Sequence, residues 1–168
     1  MLKPLQDFPD FSATHLSKGP FKLSSLPAQW RVIIVYRGYH CPVCRRYLQQ
    51  IDAKVADFHT LGFDLVVLST DSHERALKST QDWGLKNIDL AYGLAIAEAR
   101  SLGLFISRAI HENEPEWFGE PALFIIQPDG KLFAASIQTM PFTRPAVDEL
   151  LGALAYILKN NYPARGDA

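Results

Sequence analysis

Hydrophobic positions along this chain follow two alternating rhythms: short β-branched or apolar runs, and longer stretches with helical spacing. Arg31 to Tyr36 carries four consecutive β-branched residues (Val32, Ile33, Ile34, Val35) without polar alternation, the pattern of a strand buried on both faces of a parallel or mixed sheet. From Cys41 the rhythm changes. Cys44, Leu48, Ile51, Val55 and Phe58 fall at i, i+4, i+7, i+11 and i+14, which predicts one helix ending near Leu61-Gly62. Pro42 suits the first helical position, where its missing N–H costs nothing. Phe63 to Ser69 is a second apolar run, read as a strand parallel to the first because the intervening helix supplies the crossover.

Thr70-Asp71-Ser72 offers caps for a helix reaching Trp83-Gly84. Asp89 to Tyr92 reads as a short strand and Ala95 to Leu102 as a helix closed by Gly103. Ala122 to Ile126, the turn Pro128-Asp129-Gly130 and Lys131 to Ala134 predict a hairpin. The closing helix, from about Arg144-Pro145 to Lys159, places Val147, Leu150, Leu151, Leu154, Ile157 and Leu158 on one broad face. Two stretches lack either rhythm. Residues 1–11, rich in Pro and Asp, read as an arm laid on the domain, and 105–120 as an irregular insertion over one edge. Phe21 to Leu23 is a candidate short strand, followed by a helical turn at Ser24 to Pro27. The order predicts an α/β fold, a mixed central sheet with helices on both faces.

Composition changes this picture little. At 168 residues and 48% hydrophobic, the chain suits one domain over 1–168. Its 17 basic and 18 acidic residues are scattered, so charge points neither to nucleic acid nor to a membrane surface. No apolar run approaches spanning length, and Pro4 and Asp7 interrupt the start where a secretory signal would need an apolar core. The expected address is therefore cytoplasmic. Oligomeric state is left open, a dimer included.

The chemistry concentrates at Tyr39-His40-Cys41-Pro42-Val43-Cys44, which holds both of the chain's cysteines. A thiolate at a helix N-terminus is stabilised by unpaired N–H groups and the macrodipole, and Cys-X-X-Cys motifs lower a thiol pKa in this way. Cys41 is expected to be the exposed sulfur at that end, with Cys44 one turn below and more buried. His40 reads as a neighbour that tunes or covers the site ahead of a proton-transfer catalyst. Arg37, Arg45 and Arg46 would add positive potential if turned inward, although arginines in the first turn oppose the dipole.

Competing readings stay open at this point. A zinc site would need two further ligands from His15, His40, His59, His73 and His111, none spaced as a second pair. Inert core cysteines would not favour a strand-to-helix junction split by a proline. His111 with Glu112, Glu114 and Glu116 reads as a solvated surface. Nothing calls for a cofactor. Pro121, opening a core strand, is either a strand-entry proline or a functional one.

In order and spacing, Pro9-Asp10-Phe11, Gly19 with Leu23 to Leu26, Val32 to Cys44, Val66 to Asp71 and Pro121 to Lys131 resemble the thioredoxin fold. Within it they resemble the peroxiredoxin-like branch, the alkyl hydroperoxide reductase and thiol-specific antioxidant family. The resemblance implies a thioredoxin-like three-layer sandwich with an N-terminal hairpin, and makes Pro121 a counterpart of the cis-proline that faces the dithiol. Laying the family's Pro-x-x-x-Thr-x-x-Cys signature on Cys44 puts Arg37 at its proline and Cys41 at its threonine. A peroxide-activating arginine, absent from Glu120-Pro121, would have to come from elsewhere, with Arg37 and Arg100 as candidates.

The resulting expectation is a thiol-disulfide oxidoreductase with Cys41 attacking and Cys44 resolving, supported by His40, Pro42, Pro121 and Arg37. Its alternative is a thiol-dependent peroxidase in which Cys44 meets the peroxide and Cys41 resolves. Partners are then a substrate disulfide or peroxide and a reducing thiol system, thioredoxin-like or glutathione. A third reading, of another class, is a non-catalytic binding protein on the same fold.

Overall fold

The computed structural model describes residues 2–166. Its main sheet has seven strands: β1 (Ser12–His15), β2 (Gly19–Lys22), β3 (Arg31–Val35), β4 (Asp64–Leu68), β5 (Ala91–Tyr92), β8 (Ala122–Ile126) and β9 (Leu132–Ile137). Their order is β2-β1-β5-β4-β3-β8-β9. β3 runs parallel to β4 and antiparallel to β8, so the sheet is mixed, as the element order predicts. β3 is central and every one of its residues is buried, which is why its apolar run shows no alternation.

Two apolar layers cover the sheet. Val32 and Ile34 of β3, with Tyr36 just beyond its end, pack with α1 (Pro42–Asp52), α2 (Val55–Thr60), the end of α3 (His73–Trp83) and α5 (Val147–Asn160). Ile33 and Val35 face the opposite layer, which holds α4 (Ile96–Ser101) together with Phe8, Phe11 and Leu23. Phe8 and Phe11 explain how the N-terminal stretch stays on the surface of the sheet. Its backbone also bonds the β8–β9 turn, with Phe8 N–H donating to Gly130 C=O and Leu5 N–H to Leu132 C=O.

The structure corrects two expectations. The helix after Cys41 is two helices, broken at Ala53-Lys54. Asp52 is buried there and its carboxylate accepts the N–H groups of Lys86, Asn87 and Ile88, which fixes the chain end of α1 against the loop after α3. Ala53 keeps right-handed helical dihedrals through the break, so Val55 and Phe58 stay in phase with α1 and the apolar rhythm does not register the interruption. The stretch 105–120 is only partly irregular, with turns and bends confined to 109–116 between its strands. It holds a separate antiparallel pair, β6 (Ile106–Arg108) with β7 (Trp117–Gly119), whose three-residue strands are too short for a readable alternation. The strand β1 likewise escapes the hydrophobic rhythm and is anticipated only by the resemblance.

Candidate active site

The register brings three chain segments to one end of the sheet. Val35, the last residue of β3, pairs with Leu68 on one side and Ala122 on the other. The turn Tyr36 to His40 therefore leaves the sheet between Ser69-Thr70-Asp71 and Glu120-Pro121. Gly38 sits in this turn with φ 131°, and a Cβ there would lie 2.7 Å from Asp71 Oδ1; only glycine permits both the backbone angle and the close carboxylate. The Asp71 side chain is fully buried and bound from two directions. Tyr39 N–H donates to its Oδ2 at 2.8 Å and Arg75 Nε to its Oδ1 at 2.8 Å. Burial raises its pKa even against those donors.

This anchored turn delivers Cys41 as the N-cap of α1, with Pro42 at the first helical position. The Cys41 sulfur takes the role a capping oxygen usually plays, accepting the Cys44 N–H at 3.3 Å. Both thiols are reduced and both are buried, Cys41 at 1% exposure and Cys44 at 0%. The expectation of an exposed Cys41 is thereby corrected: its side chain turns under the helix end toward Cys44, within the apolar cluster that includes Tyr36 and Tyr47.

The two sulfurs are driven apart in acidity. Donation from the Cys44 thiol, then the Cys44 N–H and the charges of Arg144 and Arg37, bring Cys41 down to about 6 against the opposing effect of burial. Burial, with its donation to Cys41, holds Cys44 well above the ordinary thiol range. The pair thus loses one proton near neutral pH and keeps the other.

Arg144 is the residue that the chain pattern did not announce. It lies between β9 and α5, 100 positions beyond Cys44, and its Nη2 donates to Cys44 Sγ at 2.9 Å. Its guanidinium also lies over the Tyr47 ring, 5.1 Å from the centroid, and the Tyr47 hydroxyl donates to Pro145 C=O at 3.0 Å. The aromatic residue one turn beyond the motif is the only local sign of this docking. Arg37 and Arg100, the other candidate arginines, have different partners or surroundings. Arg37 pairs with Glu120 at 3.2 Å and Glu114 at 3.9 Å and covers Phe118. Arg100 is exposed on α4, the helix of the opposite layer.

His40 packs its ring edge to face with Phe118, centroids 4.6 Å apart. Its Nδ1 meets Arg75 Nη2 at 3.2 Å. Since arginine can only donate, Nδ1 is the acceptor and the proton resides on Nε2. Burial, then the charges of Arg37 and Arg75, hold the imidazole down to about 4, so it is neutral at physiological pH. The ring is thus held by Arg75 and Phe118. Pro121 is buried and its carbonyl accepts the Gln138 N–H at 3.0 Å. No peptide bond among the described residues is cis, so the cis geometry that the resemblance implied for Pro121 is corrected. Of the other histidines, His15 contacts Asp89 and stacks on Phe21, His73 packs against Tyr92, and His59 is exposed on α2. His111, Glu112 and Glu116 are exposed.

The arrangement is a dithiol with one activated and one protonated sulfur, an arginine on the protonated one and a neutral imidazole alongside. Comparison with known proteins bears on the fold and the family. The chain is 37% identical to peroxiredoxin 2 of Thermoplasma acidophilum over 67 residues, 40% of this chain and 33% of that protein, so the match spans a third of the relative's length. A mutant of peroxiredoxin 6 from Arenicola marina superposes with a TM-score of 0.76 at 22% identity, covering 96% of this chain and 76% of the other. A reduced peroxiredoxin from Vibrio vulnificus in complex with hydrogen peroxide superposes with 0.76 at 14% identity, covering 92% and 99%. These likenesses show the thioredoxin-like fold. Residues 4–135 match the profile of the AhpC/TSA family, and with most of the chain inside that match, the protein belongs to the AhpC/TSA family.

Proposed function

We propose that this protein is a thiol oxidoreductase that cycles Cys41 and Cys44 between dithiol and disulfide. The observation that carries the reading is the helix N-cap geometry of Cys41, whose sulfur accepts the Cys44 N–H and is brought down to about 6. The Cys41 thiolate attacks one sulfur of a substrate disulfide and expels the other half as a thiolate. Cys44, losing its proton, then attacks Cys41 of the mixed disulfide, closes the Cys41–Cys44 bond and releases the second half. His40 and Arg37 tune the charge around this exchange, Pro42 starts the helix, and Pro121 sets the entry of β8.

A second reading is favoured by Arg144. A guanidinium on Cys44 Sγ suits a peroxidase in which Cys44 attacks a peroxide oxygen and becomes a sulfenic acid as the alcohol or water leaves. Cys41 then displaces water from that sulfenic acid to form the same disulfide. The family assignment and the peroxide-bound structural neighbour support this version. In both versions the disulfide is returned to dithiol by a reducing thiol system, a requirement that suits the cytoplasm; no helix among the described residues is long and apolar enough to cross a membrane.

Separate Cys41→Ser and Cys44→Ser proteins decide between them. The first version expects the Cys44→Ser protein to trap mixed disulfides on Cys41 and both variants to lose turnover. Peroxide consumption with sulfenic acid formed on Cys44 in the Cys41→Ser protein would establish the second. Two thiols that alkylate only as slowly as ordinary cysteines and form no disulfide under mild oxidant would return the chain to a binding role.

A further inference from the structure

Beside the dithiol lies a cleft of about 380 Å³. Its walls include His40 and Pro42, the residues on either side of Cys41, whereas Cys44 lies under Arg144. Cys41 itself is buried between these two wall residues in the chain, so the cleft opens on the Cys41 side of the dithiol. The far wall is aromatic, formed by the stacked rings of Tyr39 and Trp83.

Charges of both signs line the same cleft. Arg45 is exposed, belongs to the first turn of α1 and has no ion-pair or hydrogen-bond partner for its guanidinium among the described residues. A cation at that position opposes the helix dipole, and no contact within the fold offsets the cost. Such a local conflict points to a role outside stability. Arg75 is already bound to the buried Asp71 and to His40. Asp82 is exposed, receives the Tyr39 hydroxyl and feels the charge of Lys78, which is itself paired with Glu74 at 2.9 Å. With Arg75 balanced by Asp71, the free charges are one cation, Arg45, and one anion, Asp82.

Resting on the dithiol reading above, we propose that this cleft selects the thiol that exchanges with Cys41, and that it takes a small thiol carrying both a carboxylate and an ammonium group. The carboxylate is set against Arg45 and the ammonium against Asp82. The thiolate attacks Cys41 Sγ of the disulfide, Cys44 leaves as a thiolate and takes a proton, and a second thiolate releases Cys41 with formation of the small-molecule disulfide.

The test uses the full chain oxidised with diamide. Its mass is checked first for the Cys41–Cys44 bond, since absence of that bond overturns the underlying dithiol reading and not the cleft. Reduction is then timed with L-cysteine, cysteamine and 3-mercaptopropionate, each rate divided by thiolate concentration. The expected rate for cysteine exceeds both single-charge thiols by about tenfold, the scale of one charge-assisted contact. Arg45→Ala should remove the advantage over cysteamine, slowing cysteine and mercaptopropionate together and leaving cysteamine unchanged. Asp82→Ala should slow cysteine and cysteamine only, and Tyr39→Phe, which cuts the hydroxyl bond but keeps the carboxylate, should leave the order intact. Rates that follow thiolate nucleophilicity alone, or an Arg45→Ala protein with the wild-type order, overturn the proposal.

Discussion

At the scale of single residues, the site works by giving two chemically identical thiols different surroundings. Cys41 receives donors from Cys44 and sits at a helix start, while Cys44 is enclosed and shares its proton. Alkylation by iodoacetamide, followed by mass spectrometry from pH 5 to 9, should therefore show Cys41 modification rising through about pH 6 and levelling off by neutrality. Cys44 should contribute nothing over that range; one common inflection at the ordinary thiol value would contradict the assignment. Arg144 lowers both thiols through its charge. Replacing it, Arg144→Gln, should move the Cys41 inflection upward and cut turnover at pH 6.5 roughly tenfold, as expected when one donor to a reacting centre is lost. Part of that loss should return at pH 8, where the thiolate re-forms. The cysteines were legible because a two-residue spacing with proline after a buried strand has few structural explanations. Arg144 was not, because its meeting with Cys44 is made by the closure of the sheet across 100 residues, and no local pattern encodes such a contact.

At the scale of elements, the turn between β3 and α1 depends on a carboxylate from another strand end. Asp71 holds Tyr39 N–H and Arg75, and Arg75 in turn fixes the His40 tautomer. Gly38→Ala should cost on the order of 1–3 kcal/mol from the backbone angle alone, with more from the Asp71 contact, and appear as a lower melting temperature. Asp71→Asn tests positioning apart from packing. It keeps the shape but weakens the hold on Tyr39 N–H and leaves Arg75 uncompensated, so the Cys41 inflection should shift and the cysteine alkylation profile should change even where the melting temperature falls only slightly. An unchanged profile would confine Asp71 to a structural role. Elements with a sustained rhythm, such as β3, β4, α3 and α5, were readable because burial on a fixed period is what forms them. The α1–α2 break was not, since Ala53 carries the helical phase through it, and the β6–β7 pair was not, since three residues are too few for a period.

At the scale of the whole molecule, the linkage between protons and folding gives a sign that depends on redox state. His40 is held down to about 4 and Cys41 to about 6, each below its ordinary value. Between the folded and ordinary pKa of each group the unfolded chain binds more protons, so both contributions are fully present above the ordinary values and are lost as pH falls through the folded ones. The reduced protein should accordingly gain stability from pH 4 to 6.5 through His40 and from pH 6 toward 9 through Cys41, then lose it above 9 as Cys44 resists ionisation. Oxidation removes the two thiols from this balance and leaves only the His40 portion. The same ionisation of the folded dithiol sets the pH dependence of the reduction potential, measured against a glutathione buffer. Below about pH 6, reduction takes up two electrons and two protons, and the potential should fall by about 59 mV per pH unit. Above it Cys41 remains a thiolate, one proton is taken up, and the slope should halve to about 30 mV. The break locates the first ionisation of the dithiol independently of any alkylating reagent. An unbroken slope of about 59 mV up to pH 8 would mean that both thiols keep their protons in the fold, removing the thiolate on which the proposed exchange depends.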